Sequence, residues 1–439
     1  MSNLRKLVAA SALLVGGLAA AHEAADTAHG PRSPKNDFAG AVYTMDNAVE
    51  GNHVVAYGRA ADGKLTLIGS FATGGKGGIF DAFDGLDPLI SAYSIVLTED
   101  HRFLLAVNAG SNSISVFRIN RDRSLTLVDQ AKTPGVGPDS LAISGDTVYV
   151  AVVDSDGIFG GPDNQAGSIS GYRLSSNGRL LPLPFSTRNL PARPSAVRFS
   201  PDGKFLAVTT FNAGSATLAS GSSAEVSTYR VFPGGWVGVA PVGTGVSTLP
   251  NNAAGRNMPG AIGLDVVAMS GKQYVVATEA REFSPQGAPP TFDALQSGSV
   301  SSWRLEANGA LTPVALDVLA GRQVGAGQIT SCWLQFSPDR KTFWVANALA
   351  ASISSFRFQD GAITLIEEKA AAGLPAQAFD PFGTSDGFID LAASGDGRYL
   401  YQLLGLTGVI NVYDTRNGLT LVQQFGALPD TNTQGIAAF

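Results

Sequence analysis

One repeated unit limits the fold of this chain more than any other feature. Over residues 97–119 the pattern predicts a turn, an apolar strand at 103–107, a short polar loop and an alternating strand at 113–119. These strands are runs of β-branched and aromatic residues bounded by Gly, Asn and Asp. The unit returns at 200–208, 337–347 and 394–401. The chain is therefore predicted to be a repeat protein.

An aromatic residue near the end of each alternating strand shows the period of the repeat. The seven positions are Tyr57, Phe117, Tyr172, Tyr229, Trp303, Phe356 and Tyr413. Their spacing runs from 53 residues (303 to 356) to 74 residues (229 to 303). Units of this length, with four short strands and no helical pattern, are typical of propeller blades. The 52 Gly and 23 Pro residues suit many short strands joined by tight turns.

The two ends of the repeat region indicate how the ring closes. Residues 40–45 already have the pattern of a second strand, so the first unit lacks its opening strand. Residues 433–439 resemble a first strand and have no unit after them. We therefore predict an all-β fold over 39–439, a seven-bladed β-propeller of four-stranded blades. The C-terminal strand completes the first blade and leaves no exposed central edge.

The N-terminus has the pattern of an export signal. Arg5 and Lys6 precede a short apolar run that ends in small residues near Ala21, which predicts a signal peptide over 1–21 and a secreted, extracellular protein. Residues 22–38 are predicted to be a disordered lead-in, and no later segment is long enough to span a membrane. A net charge of −6 without a Lys/Arg cluster argues against nucleic-acid binding. We expect a monomer.

The strand order divides the connections between two faces of the predicted ring. Turns from first to second strand and from third to fourth strand are short and share one face, which we call the lower face. The connections on the other, upper face are long: 71–92, 154–166, 211–224, 243–260, 278–296 and 370–387. Long loops on one end of a rigid scaffold are where function is expected. The upper mouth of the central channel is therefore the predicted site.

Polar residues are predicted to surround that mouth. Those that end second strands are Asn47, Asn108, Asp154, Glu279 and Asn347, and those that open first strands are Asp139, Ser195, Gln328 and Gln434. Carboxylate and amide oxygens from several blades would suit calcium, and Asp154 and Asn47 are the candidate ligands. The alternative is that these side chains accept backbone hydrogen bonds in turns.

Four arginines lie in or beside the upper loops, whereas only His53 among the histidines could reach the upper face. Arg193, Arg256, Arg281 and Arg322 could clamp a carboxylate group. They could equally form salt bridges with the aspartates of the same loops. The histidines are His22, His29, His53 and His101. None opens a first strand at the channel mouth, so a Ser-His-Asp triad is not expected.

The units Ser-Pro-Asp-Gly-(Lys/Arg)-(aromatic)-Leu-x-Val, followed by Ile-Ser-x-(Phe/Tyr)-Arg, resemble those of the lactonase-type seven-bladed propellers. That family includes 6-phosphogluconolactonase-like proteins and carboxymuconate-cyclising enzymes, with YVTN-repeat proteins as relatives. The resemblance covers 39–439. It implies a histidine at the start of the third blade, with arginines and a glutamate from neighbouring blades. Here Asp139 or Ser140 stands in place of the histidine, Arg193 matches one arginine, and residues 209–211 replace the glutamate.

Two functions remain open from the sequence. The first is a lactonase or cyclase for a small acidic lactone or sugar acid, with Asp139, Arg193 and Glu279 as catalytic residues. Its predicted substrate-binding residues are Arg256, Arg281, Arg322, Asn108 and Asn347. The second is a non-catalytic extracellular propeller that binds a protein or a carbohydrate and has lost the histidine of the family.

Overall fold

A computed structural model gives the fold of the chain. It describes residues 38–79, 85–154, 167–211, 225–247, 256–257, 259–281, 295–373, 386–426, 428–429 and 432–439. The predicted signal peptide and nearly all of the predicted lead-in lie outside these ranges. No helix within them has the length and apolar character that crossing a membrane requires. All the described residues belong to one compact unit, 37–439.

The described residues form seven antiparallel sheets, which are the blades. Blade 1 contains β1 (Gly40–Met45), β2 (His53–Arg59) and β3 (Leu65–Ala72). Blade 2 contains β4 (Ile95–Leu97), β5 (Phe103–Asn108), β6 (Ser113–Ile119) and β7 (Leu125–Lys132), with a 3-10 helix at Ala109–Ser111. Blade 3 contains β8 (Pro138–Ser144), β9 (Thr147–Val152), β10 (Gly167–Leu174), β11 (Leu180–Pro182) and β12 (Arg188–Leu190). Blade 4 contains β13 (Pro194–Phe199), β14 (Phe205–Thr210), β15 (Val226–Arg230) and β16 (Gly243–Gly245).

The remaining blades follow the same order. Blade 5 contains β17 (Gly260–Met269), β18 (Lys272–Ala280), β19 (Ser299–Leu305) and β20 (Leu311–Leu319). Blade 6 contains β21 (Ser331–Phe336), β22 (Thr342–Asn347), β23 (Ser352–Gln359) and β24 (Ala362–Ala372). Blade 7 contains β25 (Phe388–Ala393), β26 (Tyr399–Leu404), β27 (Val409–Asp414) and β28 (Thr420–Gly426). The last strand of the chain is β29 (Gln434–Ala438).

The predicted closure of the ring is confirmed. Strand β29 pairs antiparallel with β1, with Val42 opposite Ala438 and Thr44 opposite Ile436, so blade 1 has the order β29-β1-β2-β3. The innermost strands contact one another in the sequence β29, β4, β8, β13, β17, β21, β25 and back to β29. Each blade has four strand positions, and in blade 3 the outermost one is divided between β11 and β12, which both pair with β10. The seven-bladed all-β prediction is therefore correct.

The repeated aromatic residues pack between blades, as alternation along the third strand predicts. Tyr57, Phe117 and Trp303 are completely buried. Tyr57 of blade 1 meets the ring of Phe425 in blade 7, with the ring centres 5.4 Å apart. The core of the molecule therefore lies in the layers between neighbouring blades.

Most innermost strands contain an irregularity near their upper end. The pairing register shifts within blades 1, 3, 4, 5, 6 and 7, and the residues left unpaired include Gly435, Asp139, Ser195, Cys332 and Asp390. A β-bulge of this kind redirects a side chain. Gly435 has a φ of 74°, and a methyl group there would collide with Ser94. Closure of the ring therefore needs glycine at this point.

A segment before β4, residues 87–94, crosses the central channel, and we call it the strap. Its hydrogen bonds reach five other blades: Ala92 N to Ser195 O at 2.9 Å, Leu141 N to Tyr93 O at 2.9 Å, Tyr93 Oη to Leu264 O at 2.6 Å, Trp333 Nε1 to Ser91 O at 2.9 Å and Gln434 Nε2 to Ser91 O at 3.1 Å. Ile90 and Tyr93 have positive φ angles of 48° and 66°, which is uncommon for bulky residues. The ring of inner strands therefore holds the strap in a strained conformation.

Candidate active site at the channel rim

Asp139 is a buried carboxyl group at the upper rim of the channel, in the bulge of β8. Its side chain is 0% exposed, and neither carboxylate oxygen has a hydrogen-bond partner among the described residues. Burial raises the pKa of Asp139 well above its ordinary value, and the charge of Arg193 and the nearby amides of Asp139 and Ser140 offset this only in part. The surroundings of Asp139 therefore favour the neutral form of its carboxyl group.

Arg193 lies beside Asp139 and is joined to the strap. It directly precedes β13, is 1% exposed, and donates from Nη2 to the carbonyl oxygen of Leu89 at 2.7 Å. Ser91 of the strap donates to the carbonyl oxygen of Asp139 at 2.9 Å. The strap thus covers this acid and this arginine, which belong to neighbouring blades.

A second group of predicted site residues forms a buried ionic network in blade 5. Asp317 accepts from Arg256 Nη1 at 2.8 Å and from Arg281 Nη2 at 2.8 Å. Arg281 Nη2 also donates to Glu279 Oε2 at 3.1 Å. All four side chains are completely buried. The network thus brings together Glu279, Arg256 and Arg281. Asp139 and Arg193 lie elsewhere in the sequence and are not among its hydrogen-bonded residues.

The network is compensated in charge. Burial alone would raise the pKa of Asp317, but hydrogen bonds from Arg256 and the charge of Arg281 bring it below its ordinary value. Glu225, at the start of the third strand of blade 4, accepts from the amide of Ser247 at 3.0 Å. Burial and then the charge of Glu279 raise the pKa of Glu225 well above its ordinary value. Two arginines therefore lie near three acidic side chains, of which Glu225 is shifted towards its neutral form.

Glu279 occupies a position at which two other blades carry an asparagine that joins two strands. It lies opposite Ser299, as Asn108 lies opposite Ser113 and Asn347 opposite Ser352. Asn347 Nδ2 donates to Ser352 Oγ at 3.1 Å and to Ser354 Oγ at 2.8 Å. Asn108 bonds Ser113 and Ser115 in the same way, at 3.1 and 2.8 Å, and Glu279 accepts from Ser299 and Ser301. These side chains join the second strand to the third.

The other predicted ligands are dispersed. Asn47 exchanges two hydrogen bonds with the backbone of Gly78, at 2.8 and 3.2 Å. Asp154 is exposed in blade 3, and blade 2 separates it from Asn47 in blade 1. Arg322 is exposed, and its backbone amide donates to Glu368 at 3.0 Å. The described part of the chain has no group of three His, Cys, Asp or Glu residues that could hold a metal. The calcium site and these assignments remain predictions.

Two further acids near the upper ends of the strands were not expected from the sequence. Asp46 accepts from His53 Nδ1 at 2.9 Å and from the His53 amide at 2.8 Å. Asp390, in the bulge of β25, accepts from Gly435 N at 2.7 Å and Gln434 Nε2 at 3.1 Å, and burial raises its pKa to about 7. The signal for Asp390 is an acid inside an apolar first strand.

Comparison with known proteins agrees with the predicted resemblance. Residues 79–160 match the family model for lactonase, 7-bladed beta-propeller. A comparison with curated proteins gave no match. The whole fold is that of a seven-bladed propeller, and residues 79–160 are similar to the lactonase-type propellers that the repeat motifs resemble.

Solved structures with the same fold have different names. A candidate 6-phosphogluconolactonase from Bacteroides uniformis is 18% identical, with 91% of this chain and 99% of that chain covered and a TM-score of 0.59. Another from Bacteroides fragilis is 15% identical, with coverages of 93% and 99% and a TM-score of 0.56. A hypothetical selenium-binding protein from Sulfolobus tokodaii is 11% identical, with coverages of 92% and 94% and a TM-score of 0.58. These likenesses establish the fold, and a shared fold does not by itself establish activity.

Proposed function

We propose that the protein opens or forms the ring of a small acidic lactone at the rim between blades 3 and 4. The observation that carries this proposal is Asp139, a completely buried acid whose carboxylate oxygens have no hydrogen-bond partner among the described residues. An unsatisfied buried polar group lowers stability, and such groups are typical of functional sites. The lactonase family match and the names of the Bacteroides proteins support lactone chemistry.

The chemistry would use Asp139 as an acid and Arg193 as an anchor for the substrate. In hydrolysis, water adds to the acyl carbon and the bond from that carbon to the ring oxygen breaks. The neutral Asp139 carboxyl donates its proton to the departing ring oxygen, and the proton released by the water restores the acid. The guanidinium of Arg193 binds the anionic group of the substrate, a carboxylate or a phosphate. Ring formation is the reverse of these steps.

Access to Asp139 requires the strap to move. Leu89 and Ser91 cover the pair, and the positive φ angles of Ile90 and Tyr93 indicate stored backbone strain. A substrate that binds in place of the strap would release this strain. We therefore expect turnover to respond to substitutions in the strap as well as at the rim.

The test is lactone turnover by the purified protein. Glucono-δ-lactone and 6-phosphoglucono-δ-lactone are incubated with wild type, Asp139→Asn and the matched control Asp390→Asn, and acid release is followed in a pH-stat. Asp139→Asn should lower kcat/KM by at least about a hundredfold, while Asp390→Asn should retain wild-type turnover. The wild-type rate should fall as pH rises through the raised pKa of Asp139. Equal turnover by both variants, with intact folding, contradicts the role of Asp139.

The strap favours a second candidate function, binding without catalysis. It fills the channel where a substrate would lie, with hydrogen bonds to five other blades. An extracellular protein or carbohydrate would then bind the upper loops. Lack of wild-type turnover on both lactones, together with retention of the protein on an immobilised glycan panel, would favour this candidate.

We also propose that the protein is exported. The support is the basic, apolar and small-residue pattern of residues 1–21. Mass spectrometry of the N-terminus of the protein isolated from its source tests this. A mature chain that begins after the apolar run is expected, and an intact Met1 in the accumulated protein contradicts it.

A further inference from the structure

The channel wall nearer the lower face carries a polar arc made by three consecutive blades. Arg198, Asp265 and Gln335 occupy the same register position on the innermost strands of blades 4, 5 and 6, opposite Ala207, Val276 and Trp344 of the second strands. In each of these three blades, the opposing residue lies three positions before the residue at which the second strand is joined to the third. In blade 4 Thr210 occupies that joining position. Neighbouring blades therefore place these three side chains side by side.

Two arginines converge on the single carboxylate of this arc. Arg198 Nη2 lies 3.3 Å from Asp265 Oδ1, and Arg340 Nη1, from the lower turn of blade 6, lies 3.0 Å from Asp265 Oδ2. The side chains of Arg198 and Arg340 remain 32% and 40% exposed, whereas that of Asp265 is 8% exposed. Solvent therefore reaches the guanidinium groups but hardly reaches the carboxylate between them.

The strap forms the ceiling of this region. The guanidinium of Arg198 lies 4.4 Å from the centre of the Tyr93 ring, a distance at which the ring attracts the cation. The Tyr93 hydroxyl is already used, because it donates to Leu264 O at 2.6 Å. Arg198 is thus fixed from above by the strap and from the side by blade 5.

The other side of the channel has no polar residue at the same register position. Blades 1, 2, 3 and 7 carry Ala437, Val96, Ala142 and Ala392 there. At this level the polar arc is therefore completed to a ring by an apolar arc of four residues, which are 1–9% exposed. The register of the seven blades is regular, so this division comes from the residues and not from a distortion of the ring.

We propose that the part of the channel below the strap binds a small monocarboxylate with an apolar body. Two guanidinium groups face one carboxylate, so the arc keeps one positive charge. The N–H groups of Arg198 and Arg340 outnumber their contacts to Asp265 within the described residues. A carboxylate matches the planar fork of a guanidinium, and the body of the ligand would pack against the apolar arc. This site is distinct from the rim and does not depend on lactone chemistry there.

The experiment measures binding of acetate, butyrate and hexanoate to the full-length protein by isothermal titration calorimetry. Wild type should bind hexanoate more tightly than acetate, because the longer body buries more apolar surface. The double variant Arg198→Gln/Arg340→Gln should lose at least tenfold in affinity. The matched control is Arg118→Gln, which removes an exposed arginine of blade 2 and should bind as wild type does.

Asp265→Asn separates a binding role from a structural one. If the arginines serve a ligand, removal of the competing carboxylate should raise hexanoate affinity several-fold. If Asp265 and the arginines only stabilise the ring, this variant should have a lower melting temperature than wild type and should bind hexanoate no more tightly. The proposal is overturned if wild type binds none of the three acids, if the control loses as much as the double variant, or if Asp265→Asn weakens binding.

Discussion

The rim between blades 3 and 4 and the rim of blade 5 contain the same kinds of side chain. They differ in how those side chains are hydrogen-bonded. Each has a completely buried carboxyl group near an arginine at the upper ends of the strands. Glu279 and Asp317 accept several hydrogen bonds from Arg281, Arg256 and nearby serines. The carboxylate oxygens of Asp139 have no such partner among the described residues. The difference teaches that residue type and location do not separate a working acid from a structural one.

Hydrogen bonding is the property that separates them. A buried ion pair is tolerated when its geometry satisfies every charge, and removal of one member leaves an uncompensated charge. Burial of an acid without hydrogen-bond partners favours its neutral form and lowers stability. On this basis the blade 5 network stabilises the fold, and Asp139 is the residue available for chemistry.

The largest expected effect is on the free energy of unfolding, when one buried acid of each rim is replaced and the two losses are compared. Glu279→Gln should lower the free energy of unfolding by about 3–5 kcal/mol, since it leaves two buried arginines facing the single carboxylate of Asp317. Asp139→Asn should change it by no more than about 1 kcal/mol, because no hydrogen bond of the side chain is lost. Urea unfolding of both variants measures this. Equal losses would break the distinction between the two rims.

Asp390 sharpens the comparison because it is a bulged acid like Asp139 but has two hydrogen bonds. Its folded pKa is raised to about 7, so it is neutral in the folded protein and ionised in the unfolded chain between about pH 4 and pH 7. Stability should therefore fall as pH rises through that range, by at most about 4 kcal/mol. Asp390→Asn should make the melting temperature less dependent on pH and raise it at pH 8. A variant with the slope of wild type would show that Asp390 does not titrate there.

The smallest effect concerns the asparagines that join strands. Asn347→Ala should cost about 1–3 kcal/mol, because the hydroxyl groups of Ser331 and Ser352 lose a buried partner. Turnover at saturating lactone should stay at the wild-type value. Thermal melting and the pH-stat assay measure the two quantities. A large increase in KM without loss of stability would instead support the predicted substrate-binding role.

Much of the fold followed from local patterns. Ser113–Ile119 and Gly40–Met45 have the predicted bounds, and the predicted terminal strand pairs with β1. The apolar strand predicted at 103–107 is one residue longer in the structure, because β5 runs from Phe103 to Asn108. The added residue is polar, so the end of the apolar run did not mark the end of the strand.

The site was less predictable than the fold. The sequence identified acids and arginines at the upper ends of the strands but could not pair them. Asp317 lies in a strand and itself has a left-handed φ of 51°. Nothing in the sequence indicated that it would bind Arg256 and Arg281. The strap was part of an upper loop in the sequence, and nothing local indicated that it crosses the channel.

The sequence by itself determined the number of blades, the strand order and the way the ring closes, because these depend on period, turn residues and alternation within each unit. Only the tertiary structure decided which acid has hydrogen bonds and which has none, because those partners come from other strands and, for Asp390 and Asp265, from other blades. Local patterns specify backbone conformation, whereas the chemistry of Asp139, Glu279 and Asp265 depends on side chains that meet only when the strands pair and the blades pack together.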